Sequence, residues 1–337
     1  MSGGWNTIES DAGVFTFLIE SLGVKNVQFE ELISLDPDAL QELNPIGVIF
    51  LFKYPTGEKP AKDKPLDGEF DYAALEGSGS DEEEEPVWFA AQTIQNACGT
   101  QALLSVLLNK SKSGAGEDDD QGKVDIGPTL SEFKSFTSAF PSELRGEALS
   151  NSDLIRDVHN SFARSSPFVS DESRMATEDD DVYHFIAYTS INSTLYELDG
   201  LQPAPIRHGD PGACPAEIFA DAVVPVLQRR VGRYPATEIR FNLLAVCEDL
   251  RIRAREIGDT EMLAREEAKR REWRWENALR RHNFVGFVGE VMKGVTAMKV
   301  KEGKWDAWIE EGKFATKKRL EEGRRGRGAG AEEMDVS

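Results

Sequence analysis

The chain has 337 residues, 40% of them hydrophobic, and a formal net charge of −21. That length and apolar content suffice for one large or two modest buried cores, which excludes a wholly disordered chain. The acid is concentrated in residues 1–250, at −25 against +4 in residues 251–337, and an acidic body repels phosphates, so nucleic acid is not an expected partner.

Residues 10–22, SDAGVFTFLIESL, open with a Ser-Asp cap signal and then place Val14, Phe17, Leu18 and Leu22 at helical spacing, with Gly23 as the stop. FEELISL predicts a short second helix, and the unbroken apolar run of NPIGVIFLFKY, between Pro45 and Pro55, predicts a buried strand. Residues 55–86 read as a long flexible acidic insertion. In AAQTIQNACGTQALLSVLLN a polar run gives way to an apolar one at Cys98, which predicts a helix capped by Asn96. After a polar stretch over 110–127, helical patterning returns in TLSEFKSFTSAF and SNSDLIRDVHNSFAR. An acidic loop over 165–181 leads into VYHFIAYTSINSTLYELDG, whose alternation around a turn predicts a β-hairpin. CPAEIFADAVVPVLQRRV predicts a helix interrupted or kinked at Pro225, and EIRFNLLAV a last strand.

From about Leu250 the composition shifts to long charged runs without proline, which suit one extended helix up to about Asn283. NFVGFVGEVMKGV then places Phe284, Phe287 or Val288, Val291 and Val295 on one stripe of another helix. The end, GRRGRGAGAEEMDVS, is too poor in apolar residues to order itself. The expected organisation is a catalytic-size domain over 5–248, a helical module over 250–322 and a disordered tail over 323–337.

Three cysteines, Cys98, Cys214 and Cys247, are too few and scattered for a disulfide framework, and no Cys/His cluster has metal-ligand spacing. A reducing intracellular compartment is expected. The N-terminus lacks the basic and apolar regions of a signal peptide, and runs such as IGVIFLF are far short of a membrane span, so a soluble chain without membrane contact is expected.

A lone cysteine is most often a small buried hydrophobe. Cys98 differs because it falls in the first turn of a helix, where unpaired backbone N–H groups and the positive dipole end favour thiolate. Such a nucleophile needs a base, and the histidines are His159, His184, His208 and His282. Of these, His184 lies within a strand. Centring the hairpin on Ile191 and Asn192 puts His184 opposite Asp199 on the same face, and a slip by one residue would separate them. Cys98, His184 and Asp199 then have the makings of a nucleophile, base and orienting carboxylate. The Cys98 backbone N–H supplies one oxyanion donor, and spacing leaves the second open between Gln92 and Gln95.

On QTIQNACGTQA, HFIAY, LYELDGL, WNTIESDAGVF and GVIFLFKY, the sequence resembles the ubiquitin C-terminal hydrolases, cysteine proteases that release groups joined to the C-terminus of ubiquitin. The resemblance covers residues 5–246. It assigns the nucleophile to Cys98, the base to His184, the orienting aspartate to Asp199 and the oxyanion glutamine to Gln92, with no metal or organic cofactor. It implies an α+β, papain-like fold with a central, mostly antiparallel sheet between helices, a knotted backbone, and a crossover loop over about 165–182 that limits the leaving groups.

ALSNSDLIRDVHNSFAR and RRHNFVGFVGEVMKGV resemble the longer, proteasome-associated branch of the family. That implies ubiquitin as substrate, C-terminal helices that bind a ubiquitin-receptor subunit of the proteasome, and a cytoplasmic and nuclear location. For animal members it also implies a chromatin-remodelling complex as partner. Competing readings are a ubiquitin-binding scaffold with little turnover and a cysteine hydrolase acting on another acyl or peptide substrate.

Overall fold

The computed structural model describes residues 4–53, 64–76, 85–111, 124–163, 183–234, 238 and 240–332, with side chains through Lys318. In chain order the helices are α1 (Ala12–Ser21), α2 (Pro37–Glu42), α3 (Cys98–Lys110), α4 (Gly127–Thr137), α5 (Ser142–Ser150), α6 (Asp153–Ser161), α7 (Phe219–Val231), α8 (Leu250–Glu256), α9 (Thr260–Arg281), α10 (Val285–Lys301) and α11 (Trp305–Glu332). The strands are β1 (Val27–Glu31), β2 (Gly47–Lys53), β3 (Glu69–Phe70), β4 (Tyr183–Ile191), β5 (Thr194–Leu198), β6 (Ile206–His208) and β7 (Asn242–Glu248). They form one sheet in the order β1-β7-β2-β4-β5-β6-β3, with every described pairing antiparallel. The fold is the α+β, papain-like arrangement expected, followed by C-terminal helices.

The centre of the sheet is buried on both faces, so β2 and β4 read as near-continuous apolar runs. One core joins Ile49, Phe185, Ala187, Leu244 and Val246 to α1 and α3. The other joins Val48, Phe50, Phe52, Ile186 and Tyr188 to Phe219, Val223 and Leu227 of α7, which runs through Pro225 as a single helix.

Several elements depart from the sequence expectations. FEELISL is not a helix: Val27–Glu31 is a strand paired with β7, because burial of Val27 and Phe29 and pairing along the edge of β7 outweigh a helical pattern barely two turns long. Of the 55–86 insertion, residues 64–76 are anchored: Phe70 pairs with Ile206, and Tyr196 donates to Asp71 at 3.0 Å. The expected crossover loop and most of the 110–127 stretch lie outside the described residues. The long charged helix breaks after Glu256 and restarts at Thr260, where Asp259 accepts from Met262 N at 2.8 Å. Helix α11 continues to Glu332, so helix replaces the start of the expected tail; adding residues to a formed helix requires no new nucleus.

Two compact units are present, residues 1–281 and 282–337. Helices α8 and α9 thus pack with the sheet domain, although the composition change sits at Leu250. Trp273 covers Gly13, where a Cβ would lie 2.6 Å from the indole Cγ. Asn277 donates to Gly13 O at 3.2 Å, Arg270 bonds Glu20 and Asp249 at 2.6 and 2.9 Å, and Arg280 bonds Asp11 at 2.8 Å.

Candidate active site

Cys98 is the first residue of α3 and is half-buried, whereas Cys214 and Cys247 are buried with thiol pKa values raised by burial. Its backbone N–H lies in the turn where no helical carbonyl precedes it. Asn96 does not cap this helix. It adopts φ 69° and donates through Nδ2 to Trp5 O at 3.1 Å, so its side chain is turned to the N-terminal segment. That segment is held from the other side by His159, whose Nε2 donates to Asn6 O at 2.7 Å while Nδ1 meets Thr100 Oγ1 at 2.7 Å. Burial lowers the His159 pKa to about 4, keeping the ring neutral. The chain entering α3 is therefore fixed by residues on α6 and near the N-terminus.

His184 is the second residue of β4, and Asp199 follows the end of β5. The observed hairpin turns at Asn192 and Ser193, both at positive φ, and pairs Ile191 with Thr194. This is two residues away from the expected register, because the expected turn would have needed a left-handed β-branched Ile191. A slip of two preserves the face, so His184 and Asp199 still meet, diagonally rather than directly opposite. His184 Nε2 donates to Asp199 Oδ1 at 2.6 Å. Leu201 N and Gln202 Nε2 also donate to that carboxylate, at 3.0 and 3.2 Å.

Cys98 is close enough to His184 to act on its charge. With Nε2 engaged by Asp199, Nδ1 is the ring nitrogen left to face the thiol. Burial opposes a charge on His184, but the Asp199 carboxylate and then Cys98 outweigh it and raise the pKa to about 10. Asp199 moves the other way: burial raises its pKa, and His184 more than reverses the effect.

Gln92 and Gln95 are separated by their surroundings. Gln95 is exposed, whereas Gln92 is half-buried and donates from its backbone N to Gly200 O, beside Asp199, at 2.7 Å. Gly200 permits this approach, since a Cβ there would lie 2.1 Å from Gln101 Nε2 and 3.1 Å from Gln92 Cβ. Gln101 Nε2 in turn donates to Ala90 O at 2.6 Å, tying the segment before Gln92 to α3. The structure places His184 against Asp199 and Gln92 against Gly200, the residue after Asp199, and leaves Gln95 exposed.

Residues 5–232 match the family described as ubiquitin carboxyl-terminal hydrolase, family 1, and residues 257–299 match a second region described as ubiquitin carboxyl-terminal hydrolases. This chain belongs to the ubiquitin carboxyl-terminal hydrolases. The hydrolase is 48% identical to ubiquitin carboxyl-terminal hydrolase 2 of Schizosaccharomyces pombe, over 94% of this chain and 99% of that protein. It is 35% identical to ubiquitin carboxyl-terminal hydrolase ubh-4 of Caenorhabditis elegans, over 94% of each. The crystal structure of Trichinella spiralis UCH37 bound to ubiquitin vinyl methyl ester is similar with a TM-score of 0.56 at 33% identity, covering 82% of this chain and 98% of that one. The hydrolase is accordingly a cysteine-type deubiquitinase.

Sequence reasoning missed other polar residues near the site. His208 ends strand β6, is buried, and its Nε2 meets Glu197 at 3.2 Å. Alternation along LYELD sets Glu197 on the same face as Asp199, but its partners come from β4, β6 and α7 and have no local sequence signature.

Proposed function

We propose that this enzyme cleaves bonds to the C-terminal glycine of ubiquitin, with Cys98 as nucleophile, His184 as acid and base, Asp199 as its orienter and Gln92 as oxyanion donor. The observation that carries the reading is the buried hydrogen bond between His184 and Asp199 at 2.6 Å, with the half-buried Cys98 at the start of α3 acting on the same imidazole. Asp199 fixes the imidazole and stabilises its charged form, so the Cys98 proton has an acceptor. The thiolate attacks the glycine carbonyl, and the developing oxyanion is held by Cys98 N–H and the Gln92 side-chain amide. His184 then protonates the departing amine, and water activated by the same imidazole releases the acyl group from sulfur. The acidic body suits a basic C-terminal segment of the substrate.

The C-terminal helices are proposed to bind a ubiquitin-receptor subunit of the proteasome. Phe287, Val288, Val291 and Met292 of α10 are exposed, which supports a partner-covered surface. A cytoplasmic and nuclear location is the proposal that accompanies this partner. A ubiquitin C-terminal vinyl ester tests the catalytic reading: it should add one ubiquitin mass, and peptide mapping should place the bond on Cys98. Absence of an adduct, or a bond at Cys214 or Cys247, would contradict it.

A further inference from the structure

On the α7 side of the sheet a second buried carboxylate precedes Asp199. Glu197 and Asp199 are 2% and 1% exposed, and strand alternation puts both on one face, about 7 Å apart along the chain. Buried anions at that spacing repel, and each needs its own compensation to remain charged. Asp199 has His184. Glu197 accepts from Tyr188 OH at 2.9 Å and Arg230 Nη1 at 3.3 Å, and its Oε2 lies 3.2 Å from His208 Nε2.

Among these partners only Arg230 carries a permanent charge. Its guanidinium carbon also lies 4.9 Å from the centre of the Phe52 ring, and Phe52 meets the His184 ring edge-on at 5.7 Å and 84°. Arg230 therefore contacts two supports of the catalytic imidazole: the carboxylate beside Asp199 and the ring against His184.

We propose that Arg230 is a positioning residue of the hydrolytic site, which neutralises Glu197 and braces Phe52 so that the field of Asp199 acts on His184. This rests on the roles given above to Cys98, His184 and Asp199. Tyr188 from β4 and Tyr234 beyond α7 are phenols whose pKa values burial raises, so both stay neutral. Asp67, 4.0 Å from His208 Nδ1, is paired with Arg229 at 3.0 Å and lies 3.8 Å from Arg233.

The test is the pH profile of kcat/KM for release of a fluorophore from the C-terminus of ubiquitin, using the full chain as wild type, Arg230→Gln, Glu197→Gln and the double variant. Arg230→Gln leaves Glu197 uncompensated, and the added negative potential favours the protonated form of both Cys98 and His184. Both limbs should move to higher pH by about 0.5–1 unit. Glu197→Gln should move both limbs to lower pH, and the double variant should return them towards wild type.

Reduced activity with unmoved limbs in Arg230→Gln would overturn the proposal. If that variant does not fold, unmoved limbs in Glu197→Gln would do the same. An inactive Cys98→Ala alongside unmoved limbs brings down this proposal alone, whereas activity surviving Cys98→Ala brings down the catalytic assignment and the proposal with it.

Discussion

Asp199 Oδ1 and His184 Nε2 lie 2.6 Å apart with both side chains buried, so each group is the other's main compensation for leaving water. Asp199→Asn should keep the shape of the site while removing the charge, and kcat should fall about 10³–10⁴-fold. The linkage has a definite sign. The folded-state pKa of His184, about 10, lies above its ordinary value of 6.5. Its contribution to stability is therefore full below pH 6.5 and lost as pH rises towards 10. Denaturant unfolding across that window should show wild type losing stability more steeply than Asp199→Asn.

The two glutamines give a sharper comparison. Gln92→Ala should lower kcat about 10²–10³-fold with KM little changed, as expected for a donor used in the transition state. Gln95→Ala, at an exposed position, should leave kcat and KM as they are. Steady-state kinetics on a ubiquitin C-terminal ester or amide separates them.

His159 titrates in the opposite sense from His184. Burial lowers its folded-state pKa to about 4, below the ordinary 6.5. Its contribution is present above pH 6.5 and is lost as pH falls towards 4, amounting to about 2–3 kcal/mol across the window. His159→Gln should reduce this acid-side loss in denaturant unfolding measured from pH 7 to pH 4.5.

The register of the β4–β5 hairpin shows what was legible in the sequence. Alternation in HFIAY and LYELD identified the faces, and face parity is what brings His184 to Asp199. The exact pairing depended on which two residues take positive φ, and Asn192–Ser193 were passed over for a turn containing Ile191. FEELISL was misread because pairing with β7 overrides a short local pattern. Gln92 and Cys98 could be located from their motif, but the choice of Gln92 over Gln95 becomes physical only through Gly200 and Gln101. The Glu197 cluster was illegible, since Tyr188, His208 and Arg230 converge from three separate elements.

The packing boundary at residue 281 also makes a prediction. Residues 1–281 should unfold with nearly the stability of the sheet domain in the full chain, while 1–249 should be much less stable, because it uncovers Gly13 and strips Arg270 and Arg280 from Glu20 and Asp11. Gly13→Ala should cost about 1–3 kcal/mol by driving a methyl into Trp273. Urea unfolding of the truncated chains and of this variant checks both.

The central claim is that Cys98 is the nucleophile of a ubiquitin hydrolase, and it is tested most directly by release of a fluorescent group from the C-terminus of ubiquitin by wild type and Cys98→Ala, with ubiquitin binding measured in parallel. Turnover by wild type, with its loss in a Cys98→Ala protein that still binds ubiquitin, is the result predicted. Turnover that survives Cys98→Ala, or a wild type that binds ubiquitin and releases nothing, would contradict it.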